Sequence, residues 1–300
     1  MDSMSGASRQ CSFNPMELPQ SGLEPCGVSG ISKEELHCSL RDAFYAHIPF
    51  EIEPTQIQDT VDSFFAFMDL PDATKETLKS KIAPNHRRGD LGFVRRDPTD
   101  GAYSDKKEFF HYHPMLLSEK CAQINCDPAI KAFIDNADRI WNKGVETVKD
   151  LVGKLESQFP GIYEKIFDDH HTPHVVLRFL RYEWDKTQEN LAKAHFDAGS
   201  CTLAIAESCP GLRIGSCEAD LKLIEHIPRK ALFFLASNFK ALANSNDLLP
   251  GWHDVVLTDE MASKVAQPFT RWAIVMFVEG HSIEAPSRSD THKTDLQARM

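Results

Sequence analysis

Two hydrophobic patterns divide the chain. Up to about residue 165 apolar positions tend to return every third or fourth residue, the spacing of one helix face. After Pro173 they come in short, nearly unbroken runs of β-branched and aromatic residues separated by turn residues, the mark of strands. In the first half, "SKEELHCSLRDAFYAH" opens with Ser32 and, three residues on, Glu35, a capping-box signature. Leu36, Leu40 and Phe44 follow at helical spacing. "TQIQDTVDSFFAFMDLP" predicts a second helix stopped by Pro71, and "ATKETLKSKI" a third amphipathic segment. Residues 84 to 115 predict loops and short strands. From Asp127 to about Lys165 the pattern predicts a long helix or helix pair. Ile130, Phe133, Ile134, Ala137, Trp141, Val145, Val148 and Leu151 lie near one stripe of it.

The second half reads "HVVLRFLRYEW", "CTLAIAE", "GLRIG", "KALFFLA", "WHDVVL" and "TRWAIVMFVEG". Short strands at this spacing predict a sandwich or jelly roll. Residues 1–30 are rich in Ser, Gly and Pro without periodicity, which predicts a flexible arm. The last residues, 284–300, are polar and read as a frayed tail.

A chain of 300 residues can bury a sizeable core, and 42% hydrophobic content suits a soluble protein. The net charge of -11 argues against nucleic acid or an acidic membrane surface as partner. No run reaches the roughly 18 apolar residues of a membrane span. The first residues lack the basic start and apolar stretch of a signal peptide, so a cytoplasmic location is expected. The eight cysteines form no CxxC pair and are expected as free thiols.

The chemistry-bearing stretch is "AHFDAGSCTLAIAESCPGLRIG". On a strand, His195 and Asp197 share one face, with Phe196 on the other. A buried carboxylate needs a positive partner, either a structural salt bridge or a metal ion. Non-haem Fe(II) is commonly held by two histidines and one carboxylate, leaving the opposite positions open. "LLPGWHDVVL" offers a distal histidine, His253. "QPFTRWAIVMF" then places Arg271 at the start of a very apolar strand, where a buried guanidinium needs an anion and its planar fork suits a carboxylate.

These residues, in this order, resemble the isopenicillin-N-synthase-like branch of the Fe(II)/2-oxoglutarate-dependent oxygenases. The likeness spans roughly residues 31 to 280. It also rests on "FFAFMDLPDATKETL", "RRGDLGFVRRD", "SDKKEFFHYHP" and "VLRFLRYEW". The resemblance implies an α+β fold: a double-stranded β-helix (jelly roll) core with an N-terminal helical region and a long supporting helix. Together with the composition of the two ends, it divides the chain into an arm (1–30), a mostly helical region (31–170), a catalytic core (171–283) and a tail (284–300). It implies His195, Asp197 and His253 as catalytic iron ligands, and Arg271 with Tyr182 as binders of 2-oxoglutarate. The implied reactants are O2, 2-oxoglutarate and a small-molecule substrate whose C–H bond is hydroxylated, desaturated or closed into a ring. Three features depart from the family. Ala273 stands where a serine usually shares the cosubstrate carboxylate, Leu180 where an asparagine is frequent, and Asp254 where an arginine is usual. Two other readings stand beside this one: an Fe(II) oxidase that does without 2-oxoglutarate, and a non-catalytic jelly-roll scaffold.

Three further clusters have other readings. "FFHYHP" with Cys121 and Cys126 carries a zinc-compatible inventory at irregular spacing, and His111 and His113 read rather as strand-edge residues near the site's mouth. His226 reads as an exposed strand lead-in. "NHRRGDLGFVRR" groups Arg87, Arg88, Arg95 and Arg96 in an acidic chain, so an anionic substrate bordered by this segment is one expectation.

Overall fold

The computed structural model of the protein describes residues 29–81, 90–96, 107–167, 172–184, 190–257 and 269–280. The expected arm, most of the arginine-rich stretch before Asp90, and the tail lie outside them.

In the first half the long apolar stripes form helices, two of them with a side-chain cap at the start. Helix α1 (Lys33–Ala43) starts at Ser32, whose hydroxyl accepts from the Glu35 N–H at 3.1 Å. Strand β1 (Ala46–Pro49) follows. Helix α2 (Pro54–Met68) begins with proline in its first turn, where the missing N–H costs nothing. The third amphipathic segment shrinks to a single turn, α3 (Asp72–Glu76). Its continuation, β2 (Ser80–Lys81), is captured by β3 (Asp90–Arg96), so ladder pairing overrides helical periodicity. After β4 (Lys107–Tyr112) come two short helices, α4 (Met115–Glu119) and α5 (Cys121–Cys126). The long helix α6 (Pro128–Leu155) is capped by the Asp127 carboxylate, which accepts from the Ala129 and Ile130 N–H groups. It breaks before α7 (Ile162–Ile166).

The second half supplies β5 (Val175–Trp184), β6 (Asn190–His195), β7 (Cys201–Glu207), β8 (Leu212–Gly215), β9 (Lys222–Leu223) and β10 (Lys230–Leu235). Helix α8 (Ser237–Ala243), β11 (Trp252–Val256) and β12 (Phe269–Val278) complete it. An eight-stranded sheet runs β1-β10-β7-β12-β5-β4-β3-β2, and a four-stranded sheet runs β6-β11-β8-β9. All pairings are antiparallel. The region expected to be mostly helical thus also contributes four strands to the large sheet.

Strand alternation separates two cores. On one face of the large sheet, Leu177 and Phe179 of β5 and Ile274 and Met276 of β12 belong to a core shared with α2 and α6, where Phe64, Phe67 and Phe133 pack together. On the other face, Leu180, Tyr182 and Ala273 join Leu191, Leu212 and Val255 of the smaller sheet in a second apolar cluster. The site lies between the two sheets, on the side of this second cluster.

Candidate metal centre and its cleft

His195 ends β6 and Asp197 follows just beyond it, so the strand stops two residues earlier than the HxD pattern suggests. Asp197 still turns back toward the histidine. Ser237, at the start of α8, holds it there: its N–H and hydroxyl both donate to the Asp197 carbonyl, at 2.9 and 2.8 Å. Gly199 lets this turn lie directly on β12, since a Cβ there would stand 2.4 Å from the Val278 carbonyl oxygen. The distal histidine arrives across the ladder, for His253 of β11 is the direct register partner of His195.

His195 Nε2 lies 3.7 Å from Asp197 Oδ1, and His253 Nε2 lies 3.7 Å from Asp197 Oδ2. One ligand atom from each residue lies within 4.8 Å of the others, and this is the one such group among the described residues. Adjacent ligands of an ion bound at about 2.1 Å stand about 3 Å apart, so small side-chain rotations would close the three onto one ion.

The hydrogen bonds fix where the protons are. His195 Nδ1 is 2.7 Å from the Lys193 carbonyl, and His253 Nδ1 is 3.0 Å from the Gly251 carbonyl. A carbonyl only accepts, so each Nδ1 carries the proton and donates it. Both Nε2 atoms then face the Asp197 carboxylate. Burial, with His253 second, pushes the His195 imidazole well below its usual range, against the pull of Asp197. The imidazole is therefore neutral at pH 7. Two imidazole nitrogens and a carboxylate converge, and a cation is what such a donor set accommodates. Thr202 Oγ1 donates to Asp197 Oδ2 at 2.7 Å, a partner that orients the carboxylate. The donor set, two imidazoles and one carboxylate, suits Fe(II).

The three groups open into a cleft of about 730 Å³, counting the solvent at its mouth. Arg271 and Tyr182 line it too and are direct register partners, the guanidinium 5.7 Å from the ring centroid. Arg271 is 1% exposed. Gly211 lies beside it and packs on β11, where a Cβ would stand 2.6 Å from the Val256 carbonyl oxygen. Arg271 Nε is buried without a hydrogen-bond partner, as though an acceptor belongs there. Its Nη2, however, donates to the carboxylate of Glu207.

Glu207 is the residue the sequence reading missed. Its ion pair meets the buried guanidinium's need for an anion from within the protein. Burial raises its carboxyl pKa, and Arg271 opposes the rise.

Other cleft residues also differ from expectation. His226 is not an exposed lead-in: it lines the cleft, and burial lowers its pKa. His111 is buried rather than at a sheet edge, because β4 lies between β3 and β5, and His113, just past β4, is buried against the Trp141 ring. His111 accepts from Arg178 Nε at 2.7 Å. Arg95 does not reach the cleft. It is paired with Asp72 and Glu108 at 2.6 Å each, and its hydrogen bonds, with Lys75 second, hold the Asp72 carboxyl down to about 2. Arg96 packs over the Phe109 ring. The cations that do line the cleft with Arg271 are Lys107 and Arg178. The Asp254 that departs from the family pattern is buried and pairs with Arg213, its register partner on β8.

No known protein family and no curated protein matches the chain by sequence. Solved structures do match by fold. The Arabidopsis thaliana dioxygenase for auxin oxidation 1, in binary complex with 2-oxoglutarate, superposes with a TM-score of 0.64 at 14% identity, over 87% of this chain and 94% of that one. The dioxygenase for auxin oxidation in rice gives 0.61 at 19%, over 89% and 91%. JOX2, solved with 2OG, Fe and JA, gives 0.64 at 16%, over 85% and 74%. The chain has the double-stranded β-helix fold of the 2-oxoglutarate/Fe(II) oxygenases, and carries a His-Asp-His candidate iron site within it.

Proposed function

We propose, from that shared fold, that this protein is a non-haem Fe(II) oxygenase that uses 2-oxoglutarate to oxidise a C–H bond of a small molecule. One observation carries the reading: two Nδ1-protonated histidines and a threonine-held aspartate converge. Bound there, Fe(II) would supply the activation of O2, with decarboxylation of the 2-oxo acid to succinate and CO2.

The protein's own residues orient and exclude. His195, Asp197 and His253 would hold the metal on one side, leaving the cleft side open. The Arg271 guanidinium, with Nε unsatisfied and Tyr182 beneath it, suits the far carboxylate of the cosubstrate. Leu180, Leu212, Phe234 and Val255 make the walls apolar and limit water around the reacting centre. Lys107 and Arg178 would favour a substrate bearing negative charge.

A second reading, an Fe(II) oxidase that does without 2-oxoglutarate, draws on the Glu207–Arg271 ion pair. Incubation of the Fe(II)-loaded protein with 2-oxoglutarate and fractionated metabolites separates the two. Substrate-stimulated succinate release is expected. Substrate turnover without 2-oxoglutarate consumption would establish the oxidase instead.

A further inference from the structure

Glu207 reaches Arg271 because of a fault in the ladder. On β7, Leu203 pairs with Met276 on the helix-facing side of the sheet, and Ala204 pairs with Val275 on the cleft side. Regular alternation would send Glu207 the same way as Leu203, into the apolar core. The register shifts between Ile274 and Val275, and Glu207 becomes the partner of the cleft-facing Ala273. An extra residue re-aims every side chain beyond it. Glu207 thus enters the cleft as the diagonal neighbour of Arg271. The alanine methyl leaves open the space that the side chain crosses.

Glu207 also stands in a wall shared with a second cleft, of about 590 Å³, lined by Ile52, Pro54, Lys230 and Trp272. Ala206, Glu207 and His226 border both. The carboxylate therefore has somewhere to turn when Arg271 is taken, and Lys230 lies on that side.

We infer that Glu207 is a resident competitor for the cosubstrate: its carboxylate holds the Arg271 position that a second carboxylate on a 2-oxo acid would need, and swings toward the neighbouring cleft when one binds. This rests on the proposed Fe(II) and 2-oxo acid reading. Its consequence is weak discrimination between 2-oxo acids with and without a distal carboxylate, because a distal carboxylate has to displace Glu207 before meeting Arg271.

The test is anaerobic calorimetry on the Fe(II)-loaded full chain, with 2-oxoglutarate and with 2-oxopentanoate, which has the same carbon chain and no second carboxylate. In the wild type the preference for 2-oxoglutarate should be under about tenfold, or about 1.4 kcal/mol. In Glu207→Gln, 2-oxoglutarate should bind about tenfold or more tighter, and 2-oxopentanoate within about twofold of wild type. An unchanged ratio of the two affinities, or weaker 2-oxoglutarate binding in the variant, overturns the proposal. So does a wild-type preference of a hundredfold or more, a result that does not depend on the variant folding. If Fe(II) binds but neither acid does, the proposal falls together with the 2-oxo acid reading. If Fe(II) itself fails to bind, the iron reading falls first and takes the proposal with it.

Discussion

His195 and His253 face each other as register partners across the β6–β11 ladder, with ring centroids 4.4 Å apart. Each donates its Nδ1–H to a backbone carbonyl two residues earlier in its own chain segment. The pairing of two strands thus places both histidines, and the local backbone fixes both tautomers. Asp197 completes the set, and its orientation depends on the residues behind it.

Thr202 is one of these. Thr202→Val keeps the shape and removes the donor to Asp197 Oδ2. Metal affinity should fall by about 10–100-fold, the usual cost of losing such an outer partner, while the chain stays folded. Thr202→Ser should recover most of it. A competitive chelator titration reads both, and a valine variant equal to wild type would show that the hydroxyl does not orient the carboxylate.

Gly199 is another. A methyl there would press on the Val278 carbonyl, which also accepts from Ser200 N–H at 2.7 Å. Gly199→Ala should destabilise the chain by about 1–3 kcal/mol, as overpacking does, and weaken metal binding through the displaced Asp197 turn. Denaturant unfolding and metal titration should therefore move together.

His226 gives a pH dependence. Burial, then His47 and Arg271, lower its pKa below the unfolded value of about 6.5. The unfolded chain takes the proton first. Stability is therefore full above about pH 6.5 and falls as pH drops toward the folded value. His226→Asn should flatten this part of the slope in metal-free protein, measured by denaturant midpoints between about pH 7 and 5. An unaltered slope would mean that His226 carries no linkage.

Much of this was legible in the sequence because it is written in local patterns. All eight residues of the α6 stripe are buried, since a long helix exposes its periodicity plainly. The β-branched runs after Pro173 became strands. Helix α8 was hidden because its seven residues, SNFKALA, are too short to establish a stripe. Strand β1 was hidden by its four-residue length and its proline. His195, Asp197 and His253 could be named by residue type and order, although what brings them together is a cross-strand register no local pattern displays. Glu207 was beyond reach for the same reason. Nothing in "CTLAIAE" announces the register shift that turns its last residue into the cleft.

The most direct measurement of the account is Fe(II) uptake under anaerobic conditions by the wild-type chain and by Asp197→Ala. The wild type should bind one Fe(II) per chain. Asp197→Ala should fold and lose that binding, because the two imidazoles remain without the carboxylate that balances the ion. Equal uptake by the two proteins, or no stoichiometric uptake by the wild type, would contradict the assignment of His195, Asp197 and His253 as an iron centre.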